Sequence, residues 1–336
     1  MLKFHKILFL SSLVSGTLIA VSSSSWMMMW IGLEINLLSI IPLLSDSKSL
    51  YPSEAALKYF ITQAMASTIL LFSVINMLLI KGSDLFTWDP LSGLILASSL
   101  LTKMGAAPFH AWFPEVMEGL SWANCLIMLT WQKIAPMLIF MYNSPQELFL
   151  YVIIIFSALI GGILGINQIS MRKILAYSSI NHIAWMLSSM INSVSTWTIY
   201  FLSYSIINFN VILILKKFQT FFVNQLSKIL DQSKELKFLF SMNFLSLGGL
   251  PPFLGFYPKW ITINMMVEKS ILTTSIILIS ATMITLFFYI RVITSALLLD
   301  KNENLLPMKY NTKNNWMFIS SNIIALASLA LTPLIF

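Results

Sequence analysis

Apolar runs close to one membrane thickness alternate with short polar or Pro/Gly-rich segments along the whole chain. Cutting at that punctuation predicts eleven helical spans. They are Ile7–Val21, Trp26–Leu44, Glu54–Ile80, Pro90–Met117, Ser121–Tyr142, Leu148–Leu164, Ser170–Ile191, Val194–Phe222, Leu236–Val267, Ile271–Leu299 and Asn315–Phe336. The fourth and ninth are too long for one uninterrupted crossing, and each carries Gly and Pro inside it.

Those interiors resemble each other. Gly105–Pro114 and Gly249–Pro258, 144 residues apart, share Gly105/Gly249, Pro108/Pro252, Phe109/Phe253 and Pro114/Pro258, with Phe113 opposite Tyr257. Gly and Pro stop or kink helices, and backbone freed at membrane depth needs partners from protein or a water-filled cavity. The breaks fall five spans apart, an odd separation that turns one copy upside down relative to the other. The expected fold is therefore an all-α polytopic membrane protein, a single membrane domain over 1–336. It comprises two inverted five-helix repeats, about 7–142 and 148–299, each containing a broken helix, plus a C-terminal helix at 315–336.

Composition strengthens this picture. Hydrophobic residues make up 57% of 336 and charged residues 10%, with a mean hydropathy of +0.83. No water-soluble fold of this length hides so much apolar surface. The start, M-L-K-F-H-K before Ile7–Ala20, superficially suggests a signal peptide. No small-residue cleavage site follows it, and there is no arginine-rich transit pattern, so the chain is expected to be inserted where it is made. The single cysteine, Cys125, excludes a disulfide framework and a cysteine metal site.

The net charge of +7 is explained by topology rather than by nucleic acid. With eleven spans, the N-terminal side holds thirteen lysines and arginines (residues 3, 6, 48, 172, 173, 216, 217, 228, 234, 237, 301, 309 and 313), against Lys81 and Lys269 opposite. By the positive-inside rule the N-terminus faces the cytoplasm or its equivalent, the mitochondrial matrix.

Five basic residues remain within spans: Lys58, Lys103, Lys133, Lys259 and Arg291. Lys58 follows Glu54 by four residues, which suits a local ion pair. Arg291 can snorkel near a span end, and Glu115 and Glu118 suit a solvated end. Glu34 and Lys133, however, are central in the second and fifth spans, and Lys103 and Lys259 flank the two breaks. A charge at helix centre costs on the order of 3 kcal/mol to insert. These four would then cost about 12 kcal/mol unpaired, comparable to the stability of a whole domain. They must be paired, hydrated or neutral, and water-bridged groups of this kind can relay protons. His182 lies roughly 15 Å beyond Arg172 along the seventh span and joins the candidates, with a helix–helix hydrogen bond as its bland alternative. His110 sits at the mouth of the first break. No phosphate loop, metal-ligand spacing or nucleophile–His–acid arrangement is present.

Around these charges the motifs are W-I-G-L-E-I-N (Glu34), E-A-A-L-K-Y-F-I-T-Q (Glu54, Lys58), K-M-G-A-A-P-F-H-A-W-F-P (Lys103), L-T-W-Q-K-I-A-P (Lys133), N-Q-I-S-M-R-K-I-L-A-Y-S-S-I-N-H (Arg172 to His182) and S-L-G-G-L-P-P-F-L-G-F-Y-P-K-W (Lys259). From about residue 30 to 260 the chain resembles the antiporter-like subunits in the membrane arm of respiratory complex I. Beyond that it matches only in hydropathy. The resemblance implies that Glu34 pairs with Lys103, that Lys133 is central, and that Lys259 lies toward the exit. It implies proton movement from matrix to intermembrane space, driven by electron transfer elsewhere. NADH, FMN, the iron–sulfur clusters and ubiquinone belong to other subunits, and this chain is expected to hold no cofactor and no metal. Expected partners are other membrane-arm subunits, including neighbouring antiporter-like ones, and the lipids of the mitochondrial inner membrane, with no nucleic acid. The N-terminus is expected in the matrix and the C-terminus in the intermembrane space. An autonomous cation/proton antiporter subunit and a structural spacer are the alternatives.

Overall fold

The structure is a computed structural model, and it describes residues 4–45, 50–81, 90–143, 147–226 and 234–297. The expected eleventh span, at 315–336, lies outside the described residues.

The helices are α1 (Phe4–Ser22), α2 (Trp26–Leu44), α3 (Leu50–Lys81), α4 (Pro90–Met104), α5 (Trp112–Gly119), α6 (Trp122–Leu129), α7 (Trp131–Tyr142), α8 (Glu147–Ile166), α9 (Met171–Asn192), α10 (Val194–Phe218), α11 (Lys234–Gly248), α12 (Phe256–Glu268) and α13 (Leu272–Leu297). There is no strand among the described residues, only an isolated bridge between Ser170 and Phe222. Among the described residues, seven helical segments are long and apolar enough to cross a membrane, with α6 and α7 counting as one. The expected eighth span ends early, because Gln219 adopts a left-handed conformation (φ 51°) that caps α10.

Two compact units divide the chain, Met1–Ser157 and Ala158–Phe336. In the first, α1 and α2 form a close hairpin. A Cβ on Gly32 would lie 2.5 Å from the Ala20 nitrogen, so small residues set the approach of the two backbones. The long α3 packs on α2, α4 and α5.

In the second unit, α9 is contacted by α10, α12 and α13. Every residue from Ser178 to Ser189 is buried. This helix is not among the seven apolar segments, because Ser178, Ser179, Asn181, His182, Ser188 and Ser189 dilute its hydropathy. A polar helix at membrane depth is tolerated where protein, not lipid, surrounds it.

Candidate functional site

Both breaks are observed, and their backbones close in the same way. Gly105 and Gly249 adopt φ of 76° and 80°, a region open to glycine because it lacks Cβ. At the first break the Ala106 amide donates to the Leu101 carbonyl (3.0 Å) and the Gly105 amide to Thr102 (3.2 Å). At the second, Leu250 donates to Leu245 (3.3 Å) and Gly249 to Ser246 (3.0 Å). Each is a Schellman cap. A cis peptide bond follows in both, Ala107–Pro108 and Pro251–Pro252.

What caps the remaining carbonyls differs. At the end of α4 the Trp112 indole N–H donates to Thr102 (3.0 Å), and the Gln63 amide donates to Lys103 (3.4 Å). Both donors are neutral. At the end of α11 the Lys259 ammonium reaches back from α12 and donates to Leu247 (3.2 Å) and Gly248 (2.9 Å). A cation at a helix C-terminus also meets the negative end of the helix dipole. Lys259 is buried, lies 5.8 Å from the Trp185 ring centre, and makes no ion pair among the described residues.

Lys103 is buried at the end of α4. Glu34 is near enough to act on it electrostatically. No ion pair within 4.0 Å joins the two among the described residues, so the direct Glu34–Lys103 pair that the resemblance implies is not seen. One Glu34 carboxylate oxygen is buried without a hydrogen-bond partner. Lys103 lines a small cavity of about 10 Å³ with Leu33, Asn36, Leu37, Tyr59, Gln63, Gln132 and Pro136. That is room for about one water molecule, which polar walls favour. Along the wall, Tyr59 donates to Gln132 (3.4 Å) and Gln132 to Asn36 (2.9 Å).

Lys133, the next residue after Gln132, is 1% exposed. The span that the sequence reads as continuous is one apolar segment, Trp122–Tyr142. Thr130, between α6 and α7, is distorted but stays in the right-handed helical region (φ −114°, ψ −71°), and Pro136 deprives the Gln132 carbonyl of its usual donor. The Lys133 ammonium lies 5.6 Å from the Phe113 ring centre. Phe113 in turn covers Gly105, where a Cβ would come within 3.3 Å of it. Lys133 therefore rests on the side chain that packs the first break.

His182 is buried on α9, and its Nδ1 lies 2.9 Å from the Tyr200 hydroxyl on α10. The Tyr204 ring packs 5.0 Å away, centre to centre. Lys58 and Arg291 have structural partners. Lys58 pairs with Glu54 as the spacing suggests, and also with Glu115 on α5 (3.1 Å each). Arg291 donates to the Ile166 and Gln168 carbonyls at the end of α8.

Sequence reading passed over Asn36, Gln63, Gln132, Trp112 and Tyr200. The amides carried a usable signal, being uncharged polar groups within apolar runs. Tyr200 and Trp112 did not, because aromatic side chains are common in any membrane helix.

Helices broken in pairs, with buried lysines at the broken ends, define a polytopic membrane protein of the broken-helix type. The family described as NADH:quinone oxidoreductase/Mrp antiporter, TM, matches residues 23–285, and the chain belongs to that family. "NADH-ubiquinone oxidoreductase chain 2" of Anopheles gambiae is 45% identical over 339 residues, covering 100% of this chain and 99% of its own. The protein of the same name from Locusta migratoria is 47% identical over 301 residues, covering 89% and 87%. A chain of respiratory complex I from Thermus thermophilus superposes with a TM-score of 0.89 at 21% identity, over 99% of this chain and 79% of that one.

Proposed function

We propose that this chain is a proton-translocating, antiporter-like subunit of the complex I membrane arm. It moves protons from matrix to intermembrane space and performs no redox chemistry itself. Glu34 sets the charge state of Lys103, that state biases Lys133, and His182 hands the proton toward Lys259 and the exit. The eleven crossings and their inverted arrangement belong to this reading; the odd spacing of the two breaks and the one-sided placement of lysine and arginine support it. The names of the relatives, chain 2 of an NADH-ubiquinone oxidoreductase, support assembly with the other subunits of such a complex.

The carrying observation is the burial of three lysines, Lys103 (7% exposed), Lys133 (1%) and Lys259 (7%), two of them beside breaks with the same glycine turn. Ammonium groups are expensive to insert, and capping a helix end, as Lys259 does, accounts for one of the three. Replacing Lys133 by Met in the assembled complex tests the reading. Protons moved per electron should fall while the complex still assembles. An unchanged ratio in an intact complex removes Lys133 from the path.

A second reading is an autonomous cation/proton antiporter subunit, favoured by the family description naming that activity as well. Native gel separation decides between them. Migration with NADH dehydrogenase activity supports the first reading, and migration without it supports the second.

A further inference from the structure

Tyr200 belongs to no motif in the sequence, yet its hydroxyl lies 2.9 Å from Nδ1 of His182. Both side chains are buried, at 1% and 6% exposure. A phenol hydroxyl hidden from water needs a partner, and an imidazole nitrogen is a better acceptor than a phenol oxygen. With the ring's own proton on Nε2, the hydroxyl donates to Nδ1 of the neutral ring.

We propose that Tyr200 is a positioning residue for His182: it holds the ring orientation and tautomer, and lets the ring change charge without turning. The reason is the dual character of a hydroxyl. When the ring gains a proton at Nδ1, that nitrogen becomes a donor and the same hydroxyl becomes its acceptor. One proton is added to the ring, one is carried as before on the phenol, and no heavy atom moves. When the ring loses the proton, the hydroxyl turns back. A backbone carbonyl could serve only the Nδ1–H form, and an apolar neighbour could serve neither.

The surroundings suit this role. Tyr204, one turn along α10 from Tyr200, packs its ring 5.0 Å from the His182 ring, and the Asn208 amide donates to the Tyr204 carbonyl (2.9 Å). The Tyr200 and His182 rings lie 6.1 Å apart, tilted by 57°, so the hydroxyl, not face-to-face stacking, makes the contact.

This inference rests on the reading of His182 as a relay member, and the experiment separates the two. Tyr200→Phe, His182→Gln and the double variant are compared in the assembled complex for protons moved per electron, with native gels reporting assembly. Tyr200→Phe should lose the same share of pumping as His182→Gln, and the double variant should lose no more than either alone, because Tyr200 acts through His182. Wild-type pumping in Tyr200→Phe alongside a deficit in His182→Gln overturns the inference alone, as does a double variant whose loss is the sum of the two. Wild-type pumping in His182→Gln overturns the relay reading and this inference with it. Should Tyr200→Phe fail to assemble, a high-resolution map of the wild-type complex gives the second measurement. A hydroxyl within 3.2 Å of Nδ1 supports the proposal, and Nδ1 turned to a carbonyl overturns it.

Discussion

The Lys259 ammonium lies 2.9 Å from the carbonyl oxygen of Gly248, eleven residues earlier in the chain. With its second bond, to Leu247, it completes a full account of the carbonyls at the end of α11. Leu245 and Ser246 accept from backbone amides across the glycine turn, and Leu247 and Gly248 accept from the lysine. The second break is thus closed by a titratable side chain, and the first by neutral donors.

That difference predicts a split between two substitutions. Lys259→Met leaves two buried carbonyls without donors, each a loss of about 1–3 kcal/mol. Lys259→Arg keeps a donor fork at the same helix end but stays charged at any accessible pH. The arginine variant should assemble and fail to pump, whereas the methionine variant should also assemble poorly. Native gels and proton-to-electron ratios read the two effects separately. Normal pumping by the arginine variant would remove Lys259 from proton exchange.

The two break glycines should differ in tolerance. Alanine at either takes a left-handed backbone at a cost of about 1–2 kcal/mol. At Gly249 its Cβ would also lie 2.7 Å from Lys259 Cδ and 2.8 Å from Nζ, displacing the cap, whereas at Gly105 the nearest atom is 3.3 Å away. Gly249→Ala should therefore lower both assembly and pumping more than Gly105→Ala. Equal losses would show that the cap contributes nothing beyond the turn.

Gln132 carries a third prediction. Its amide bridges Asn36 and Tyr59 across the wall of the Lys103 cavity. Gln132→Leu removes the bridge, leaves Asn36 without that donor, and replaces a polar wall with an apolar one. A loss of about 1–2 kcal/mol is expected, along with the disappearance of an ordered water beside Lys103 in a high-resolution map and reduced pumping. A water retained at full occupancy would contradict the assignment.

The Lys58 cluster supplies a negative control. Lys58 and its partners Glu54 and Glu115 are 45%, 63% and 58% exposed, and exposed pairs contribute little. Glu115→Gln should assemble and pump as wild type. A pumping defect would draw this cluster into the proton path.

Several residues show why the sequence yields some of this and not the rest. Gly105 and Gly249 are legible because a glycine among prolines in an apolar run carries local conformational meaning wherever the chain goes. Lys103, Lys133 and Lys259 are legible because the insertion penalty attaches to a charge in a span before any neighbour is known. The distortion at Thr130 leaves no mark in the sequence because threonine is common in membrane helices. The cap formed by Lys259 escaped because two lysines beside two similar breaks look alike on paper, although one projects from the helix before its break and the other from the helix after.

Taken alone, the chain's amino-acid order determined that this is a polytopic helical membrane protein with two matching interruptions and a short set of stranded charges. Span length, helix breaking and the penalty for charge in oil are local properties of a segment. The tertiary structure decided which group answers each charge: carbonyls for Lys259, an aromatic ring beside Lys133, a water-sized polar cavity for Lys103 and a tyrosine for His182. Those partners come from other helices or from across a turn, and a hydrogen bond depends on distances of a few tenths of an ångström that only the packed chain sets.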